Sequence, residues 1–268
     1  MTVKVFSDPG HGGHDSGATG NGLKEKDITL KLSQYFTDIL TNDYKGVVVK
    51  QSREDDRFLS LSARADMAND WGADYFISFH TNAFNGSAHG FESFIYDKLS
   101  DSSKTAKYRE IVHQEVMKVN DLYDRGMKKA NFAVIRETKM SALLTENGFI
   151  DHPEDAAKLK DNDYLYEIAK AHAKGVAKIF GLERVNDQSD DTDTQESKQY
   201  EVVAGTFSNY KNAKKQEDIV AGKGFEVYIK AGDKYYEVIA GTFNKHENAK
   251  TRSHNLENKG IETYIKSV

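Results

Sequence analysis

Apolar positions along the first 180 residues change period again and again. Val3, Val5 and Phe6 read as a short strand that Pro9 and Gly10 stop. Ile28, Leu32, Tyr35, Phe36, Ile39 and Leu40 then recur at helical spacing over about Asp27 to Thr41. VVVKQSR reads as a strand, Leu61 to Trp71 as a helix with Ser60 as a candidate N-cap, and Asp74 to Phe79 as a strand. Gly90 to Tyr96, GFESFIY, is another strand pattern, and Lys104 to Asp121 a helix with Tyr108, Ile111, Val112, Val116 and Val119 on one face. Short apolar runs predict strands at Phe132 to Ile135 and Ala142 to Thr145, and a helix spans Tyr164 to Phe180. Alternation of this kind predicts an α/β domain with a mainly parallel twisted sheet and helices on both faces. In such sheets, sites form outside the carboxyl ends of the strands.

The pattern breaks at Asn186 to Lys198, NDQSDDTDTQESK, which has no apolar side chain and five acids against one lysine. A segment of that composition cannot bury a core, so it reads as a flexible acidic linker. Beyond it the chain repeats with an offset of 36 residues: YEVVAGTF at Tyr200 returns as YEVIAGTF at Tyr236, and KGFEVYIK at Lys223 is echoed by KGIETYIK at Lys259. Each unit reads strand, helix, strand and is too small to bury its own sheet face. Two together predict a small α+β domain of βαββαβ order with both helices on one face. The expected organisation is a domain over residues 1–185, a linker over 186–198 and a tandem-repeat domain over 199–268. In the repeats, Tyr200, Phe207, Phe225, Tyr228, Tyr236, Phe243 and Tyr264 alternate at strand spacing and are expected in the core, the alternative being platforms on which sugars stack.

Composition narrows the chemistry. The chain has no cysteine, so disulfides and thiolate ligands are excluded and any metal must sit on His, Asp or Glu. No stretch approaches the roughly 20 apolar residues that a membrane span needs, so no membrane insertion is expected. MTVKVFSDPG lacks the basic and long apolar regions of a signal peptide, which predicts synthesis in the cytoplasm without export by that route. The net charge of -5 argues against nucleic acid as a partner. Residues 199 to 268 carry 11 Lys and Arg against 9 Asp and Glu, leaving 26 against 33 in the rest, so a tail near +2 follows a body near -7. Such a tail suits an anionic polymer.

Four residues stand at predicted element ends. His11 follows the first strand in DPGHGGHDSG, Glu25 opens the first helix in GLKEKD, His80 follows the third strand in FISFHTNA, and Glu146 follows the run Ala142, Leu143, Leu144. Two histidines and a carboxylate make a candidate catalytic zinc set with a fourth position left to water. A carboxylate placed as Glu146 is costly to bury without a task or a counterion. Taken singly, Glu25 could merely favour a helix N-terminus. His14 and His89 read as exposed loop histidines, and His113, His152, His172, His246 and His254 as surface or helix residues. The glycine-rich loop lacks the Lys-Ser/Thr ending and the GxGxxG spacing of phosphate-binding loops.

Taken together, DPGHGG, GLKEKD, SLSARADMAND followed by GADYFISFHTNA, and LLTENGFI resemble in order and spacing the zinc-dependent N-acetylmuramoyl-L-alanine amidases of the amidase-3 family, over residues 1 to 182. The resemblance implies Zn2+ as cofactor, His11, Glu25 and His80 as its ligands and Glu146 as the catalytic carboxylate. It also implies the substrate: the bond between N-acetylmuramic acid and the L-alanine of the peptidoglycan stem peptide. Asn82, Arg64 and Arg53 match family positions; Asn82 and Arg64 are candidate substrate-binding residues. Arg64 and Arg53 could grip a carboxylate bidentately or pair with Asp66 and Asp55. The repeats resemble SPOR-type peptidoglycan-binding modules, with Val203 and Ile239 where a polar residue is expected. The rival readings are a zinc peptidase cutting within the stem peptide and a non-catalytic wall-binding module. The chain resembles both phage endolysins and Bacillus-type sporulation amidases, which act on the bacterial cell wall after phage lysis or mother-cell lysis.

Overall fold

Residue burial follows the periods above, and in the computed structural model residues 2–185, 199–232, 234–243 and 246–268 are described. The expected linker, 186–198, lies outside the described residues. In chain order the first part runs β1 (Val3–Pro9), β2 (Thr19–Gly20), β3 (Leu23–Lys24), α1 (Glu25–Asp43), β4 (Val47–Gln51), α2 (Leu61–Trp71) and β5 (Tyr75–Asn82). It continues with β6 (Phe91–Tyr96), α3 (Lys104–Met117), β7 (Asp124–Ala130), α4 (Ala133–Arg136), β8 (Ser141–Phe149), α5 (Pro153–Lys160) and α6 (Asn162–Phe180). The second part is β9 (Tyr200–Phe207), α7 (Tyr210–Gly222), β10 (Tyr228–Ala231), β11 (Tyr236–Phe243), α8 (His246–Glu257) and β12 (Tyr264–Ser267). The chain divides into two compact units, Met1–Gln188 and Ser189–Val268.

The first unit is built on a six-stranded sheet of order β4-β1-β5-β8-β6-β7. β4, β1, β5 and β8 are parallel to one another, β6 runs antiparallel to β8, and β7 is parallel to β6. Alternation along each strand sends Val5, Ile77, Phe79, Leu143 and Phe91 to one face, where α1, α3 and α6 cover them. Phe6, Phe76, Ala142 and Leu144 go to the other face, under the short helices α2 and α4. Each fully buried side chain of this kind contributes about 1.5–3 kcal/mol, so the two layers hold the sheet from both sides. Ser60 caps α2 as its sequence suggests, accepting from the Ala63 amide at 3.2 Å, and Gly72 ends that helix in the left-handed region.

Several expectations are corrected. Phe132 to Ile135, expected as a strand, forms the single-turn helix α4, because burying Val134 and Ile135 against the α2 side of the sheet satisfies their apolarity without strand pairing. The strand of that region is β7, DRGMKKA, an edge strand with one neighbour and so no need of an apolar run. α3 ends at Met117 rather than Asp121. α5, opened by Pro153 at its first turn, had no apolar period long enough to read. β5 runs on to Asn82, so His80 stands within the strand and not past its end. His113 and His172 are both buried on their helices.

The second unit has the expected order and an antiparallel sheet β10-β11-β9-β12. Val202 and Ala204 on β9 and Val238 and Ala240 on β11 meet Ala213 and Val220 of α7 and Ala249 and Leu256 of α8. Of the aromatics expected in this core, Phe243 is buried, and Tyr200, Phe207, Phe225 and Tyr236 pack partly buried against it. Tyr228 and Tyr264 do not, being each 46 % exposed. They flank the central pair in the cross-strand row Tyr228–Ile239–Val203–Tyr264. Neither tyrosine belongs to the helix-covered cluster, because the period of two places this row opposite Val202 and Val238. Their hydroxyls meet Thr242 and Thr206 at 3.1 and 2.8 Å, two contacts related by the 36-residue repeat.

Candidate active site

The site lies where β1, β5 and β8 end and α1 begins. β1 delivers the chain to Gly10, after which His11 takes a φ of 62°, a left-handed conformation uncommon for any residue but glycine. A frame of arginines holds it there. Arg64, 2 % exposed, donates to Asp8 Oδ1 at 2.9 Å and to the carbonyls of Pro9, His11 and Leu59 at 2.6, 2.6 and 3.2 Å. Arg53, also buried, donates to the carbonyls of Pro9, Gly10 and Lys26. Neither arginine pairs with Asp66 or with the Asp55 carboxylate; Arg53 meets only the Asp55 carbonyl. Arg64, a candidate substrate-binding residue, is thus engaged by four protein acceptors around the His11 loop, and it also lines the cavity beside His11 and His80.

Glu25 is the first residue of α1 and is almost wholly buried. Its Oε1 accepts from the Thr81 amide at 2.9 Å and its Oε2 from the Ala18 amide at 2.8 Å, which fixes the carboxylate in the site instead of leaving it on the helix surface. His80 Nδ1 lies 2.9 Å from Oε1 and His11 Nε2 3.2 Å from Oε2. The three residues offer ligand atoms that all lie within 4.8 Å of one another. Two glycines make room for them. A β carbon on Gly10 would stand 2.3 Å from the His80 ring, and one on Gly17, at φ 64°, 2.6 Å from both Glu25 Oε2 and the His11 ring. Burial alone would push the Glu25 carboxyl up, but the two imidazoles hold it far below the usual carboxylate range. His11 is shifted upward, burial opposing the change and Glu25 and Asp15 outweighing it.

Asp15 was not among the candidates read from the sequence. Its Oδ2 lies 2.9 Å from His11 Nδ1, the nitrogen facing away from Glu25. A carboxylate there sets the tautomer and ring orientation of a ligating histidine. The available signal was an acid four residues beyond His11 in a loop rich in glycine.

Glu146 pairs with His80 across the β5–β8 ladder and with Glu92 across β8–β6. Its Oε2 is buried with no hydrogen-bond partner among the described residues. Burial first, and then the charges of Glu25 and Glu92, raise its carboxyl well above the ordinary range. An orphaned buried acceptor beside two histidines and a second carboxylate fits a site built around a cation and a reacting group. Asn82, a candidate substrate-binding residue, donates from its amide nitrogen to Glu92 Oε1 at 2.8 Å and accepts at its oxygen from the Ala83 amide. His14 packs against Phe58 with its ring tilted, and His89 packs against Tyr123 and stacks on His152; neither belongs to the ligand set. Beside His11 and His80 a cavity of about 90 Å3 is lined by the apolar Phe58, Leu59, Leu61 and Val134 and by the charged Asp8, Asp15 and Arg64.

A mainly parallel α/β domain that gathers two histidines and two carboxylates from the loop after β1, the start of α1 and the later parts of β5 and β8 defines a class of hydrolytic domain with a candidate metal centre. The profile of the N-acetylmuramoyl-L-alanine amidase family matches residues 5–178, and this chain belongs to that family. It is a peptidoglycan hydrolase that cleaves between N-acetylmuramic acid and the L-alanine of the stem peptide. A SPOR domain profile matches residues 196–267, making peptidoglycan both substrate and binding target. The chain is 44% identical over 231 residues to a sporulation-specific N-acetylmuramoyl-L-alanine amidase of Bacillus subtilis (strain 168), covering 86% of each. It is 45% identical over 187 residues to the endolysin of Bacillus phage SPP1, covering 69% of this chain and 68% of that one. The crystal structure of an N-acetylmuramoyl-L-alanine amidase from Clostridium difficile 630 superposes with a TM-score of 0.64 at 33% identity, over 67% of this chain and 97% of that one. No helix among the described residues is long and apolar enough to cross a membrane.

Proposed function

We propose that the amidase reaction of this chain depends on a zinc ion held by His11, Glu25 and His80, with Glu146 carrying the proton. The observation behind the reading is the orphaned, buried Oε2 of Glu146 one strand away from His80. Bound zinc would supply a Lewis acid and lower the pKa of water from 15.7 to about 7.

The rest of the work falls to side chains. Asp15 takes the Nδ1 proton of His11 as a hydrogen bond and leaves Nε2 turned toward Glu25. Arg64 and Arg53 hold the backbone of the His11 loop. Glu146 accepts a proton from the attacking water and returns it to the nitrogen of the departing L-alanine. That nitrogen would otherwise leave as an amide anion. A carboxyl raised by burial and by the charges of Glu25 and Glu92 holds a proton more readily than an ordinary carboxylate, as a group that takes a proton and returns it must.

Residues 199–268 serve as a wall-binding module joined to the catalytic residues 1–185 through 186–198. A tether of this length raises the local concentration of substrate without altering the active site. Similarity to both a sporulation amidase and a phage endolysin supports action on the wall after lysis of the cell that made the enzyme.

The test uses purified peptidoglycan with wild type and Glu146→Gln, each with zinc and after chelation, and mass analysis of the products. The expected result is release of peptides beginning with L-alanine by zinc-loaded wild type alone, while Glu146→Gln still binds the ion. Cleavage that survives chelation, or an active Glu146→Gln enzyme, overturns the reading.

A further inference from the structure

Strand register places one more charged group in line with the catalytic carboxylate. Asp8, His80, Glu146 and Glu92 share a face of the sheet, since Asp8 pairs with Ser78, His80 with Glu146 and Glu92 with Glu146. Lys128 pairs with Phe94, two residues beyond Glu92, and so lies on that face as well. α2 and α4, the helices on this side, are short, of 11 and 4 residues. A track of polar side chains therefore runs from His11, Glu25 and His80 through Glu146 and Glu92 to the edge strand β7.

At the far end the charges do not balance. Glu92, buried and 3 % exposed, accepts from Asn82, from Arg125 Nε at 2.9 Å and from Lys128 Nζ. Two cations converge on this one carboxylate, yet their side chains remain 29 % and 38 % exposed. The Arg125 guanidinium carbon lies 4.8 Å from the centre of the Phe149 ring, and its Nη1 donates to the His89 carbonyl at 3.3 Å. A part-exposed guanidinium beside a part-exposed ammonium, two cations on the one Glu92 carboxylate, is suited to a second carboxylate.

We propose that Arg125 and Lys128 form a subsite for a free carboxylate of the stem peptide, that of the acidic residue following L-alanine. The inference rests on Glu146 acting at the scissile amide. The stem peptide then extends from Glu146 toward β7, and the muramic acid side falls against the apolar wall of Phe58, Leu59, Leu61 and Val134. Asn82 and Glu92 are positioning residues that hold the cation pair, which explains why Asn82 is engaged by Glu92 and not free for substrate.

The experiment compares two soluble disaccharide tripeptides that differ at one group, the second residue bearing either a free α-carboxylate or its primary amide. Wild type is expected to show a KM about tenfold higher for the amide, with kcat within about twofold, the scale of one charge-assisted hydrogen bond. Arg125→Gln/Lys128→Gln raises KM for the acid by a similar factor and no longer distinguishes the two compounds. Lys128→Gln alone, which leaves Glu92 its arginine, gives an intermediate ratio and guards against misfolding of the double variant. Equal KM values for acid and amide in wild type, or a double variant that keeps the preference, overturns the proposal. A purely structural pair would lower kcat on both compounds alike, and that result also overturns it. Should Glu146→Gln cleave as well as wild type, the reading of Glu146 fails instead, whatever the acid-to-amide ratio.

Discussion

Replacing Arg64 with methionine separates a loop-holding arginine from one that grips substrate. Its partner Asp8 is fully buried, accepting from Ser52 at 2.6 Å, Ser78 at 2.8 Å and Arg64 at 2.9 Å. Burial pushes the Asp8 carboxyl up, and Arg64 with the two serines outweighs it, so the group ends below its ordinary value. Methionine keeps most of the stem volume but leaves a buried carboxylate uncompensated and takes a donor from the carbonyls of Pro9, His11 and Leu59. Breaking a buried ion pair on one side costs about 3–5 kcal/mol. In a domain of this size each kcal/mol moves the melting point by about 2–4 °C, so Arg64→Met should lower the catalytic transition by on the order of 10 °C. Thermal unfolding of the full chain followed by calorimetry reads this directly. Two controls sharpen it. Asp8→Asn/Arg64→Met should recover part of the loss, and the deficit of the single variant should shrink toward pH 3 as Asp8 protonates. An Arg64→Met enzyme with an unchanged melting point and a raised KM would refute the reasoning and restore Arg64 as a substrate contact.

His172 is wholly buried, donates from Nδ1 to the Ile168 carbonyl at 2.8 Å and leaves Nε2 with no partner among the described residues, so burial drives its pKa down from 6.5 to about 4. The unfolded chain then binds a proton that the folded one refuses; over 6.5 − 4 = 2.5 units at 1.36 kcal/mol each, ~3 kcal/mol of stability is lost as pH falls through that window. His172→Leu should flatten that part of the pH dependence in urea unfolding at pH 7 and 4.5, and an unaltered slope would assign the acid sensitivity to other groups. Asp15→Asn should weaken zinc binding about 10–100-fold in a competition titration with a chromogenic chelator while leaving the melting point of the metal-free protein within about 2 °C; undiminished zinc affinity would leave Asp15 as a loop residue only.

Much of this molecule is legible in one dimension because strands and helices advertise their buried faces. The helix over Leu61 to Trp71 and its Ser60 cap could be read from spacing alone, and so could the 36-residue repeat, since a period survives whatever it packs against. His11, Glu25, His80 and Glu146 were visible for a related reason: polar residues that interrupt or end apolar runs stand out against them. Glu92 interrupts such a run in the same way, within GFESFIY, but nothing local distinguishes an acid facing solvent from one facing a site.

Tertiary structure decided which polar residues meet. Arg64 and Asp8 are 56 positions apart and pair only because α2 crosses the end of β1. Asp15 became a partner of His11 through a left-handed backbone turn, and Glu92 a neighbour of Glu146 through an antiparallel strand inserted into a parallel sheet. The edge strand β7 escaped notice because a strand with one neighbour has no apolar run to advertise. Phe132 to Ile135 became a helix because four apolar residues satisfy either period. The sequence by itself determined the elements, the repeat and the candidate ligands, since each follows from residues close along the chain. Their pairing, and hence the two cations gathered on Glu92, was decided by strand order and register, which join residues that no local pattern connects.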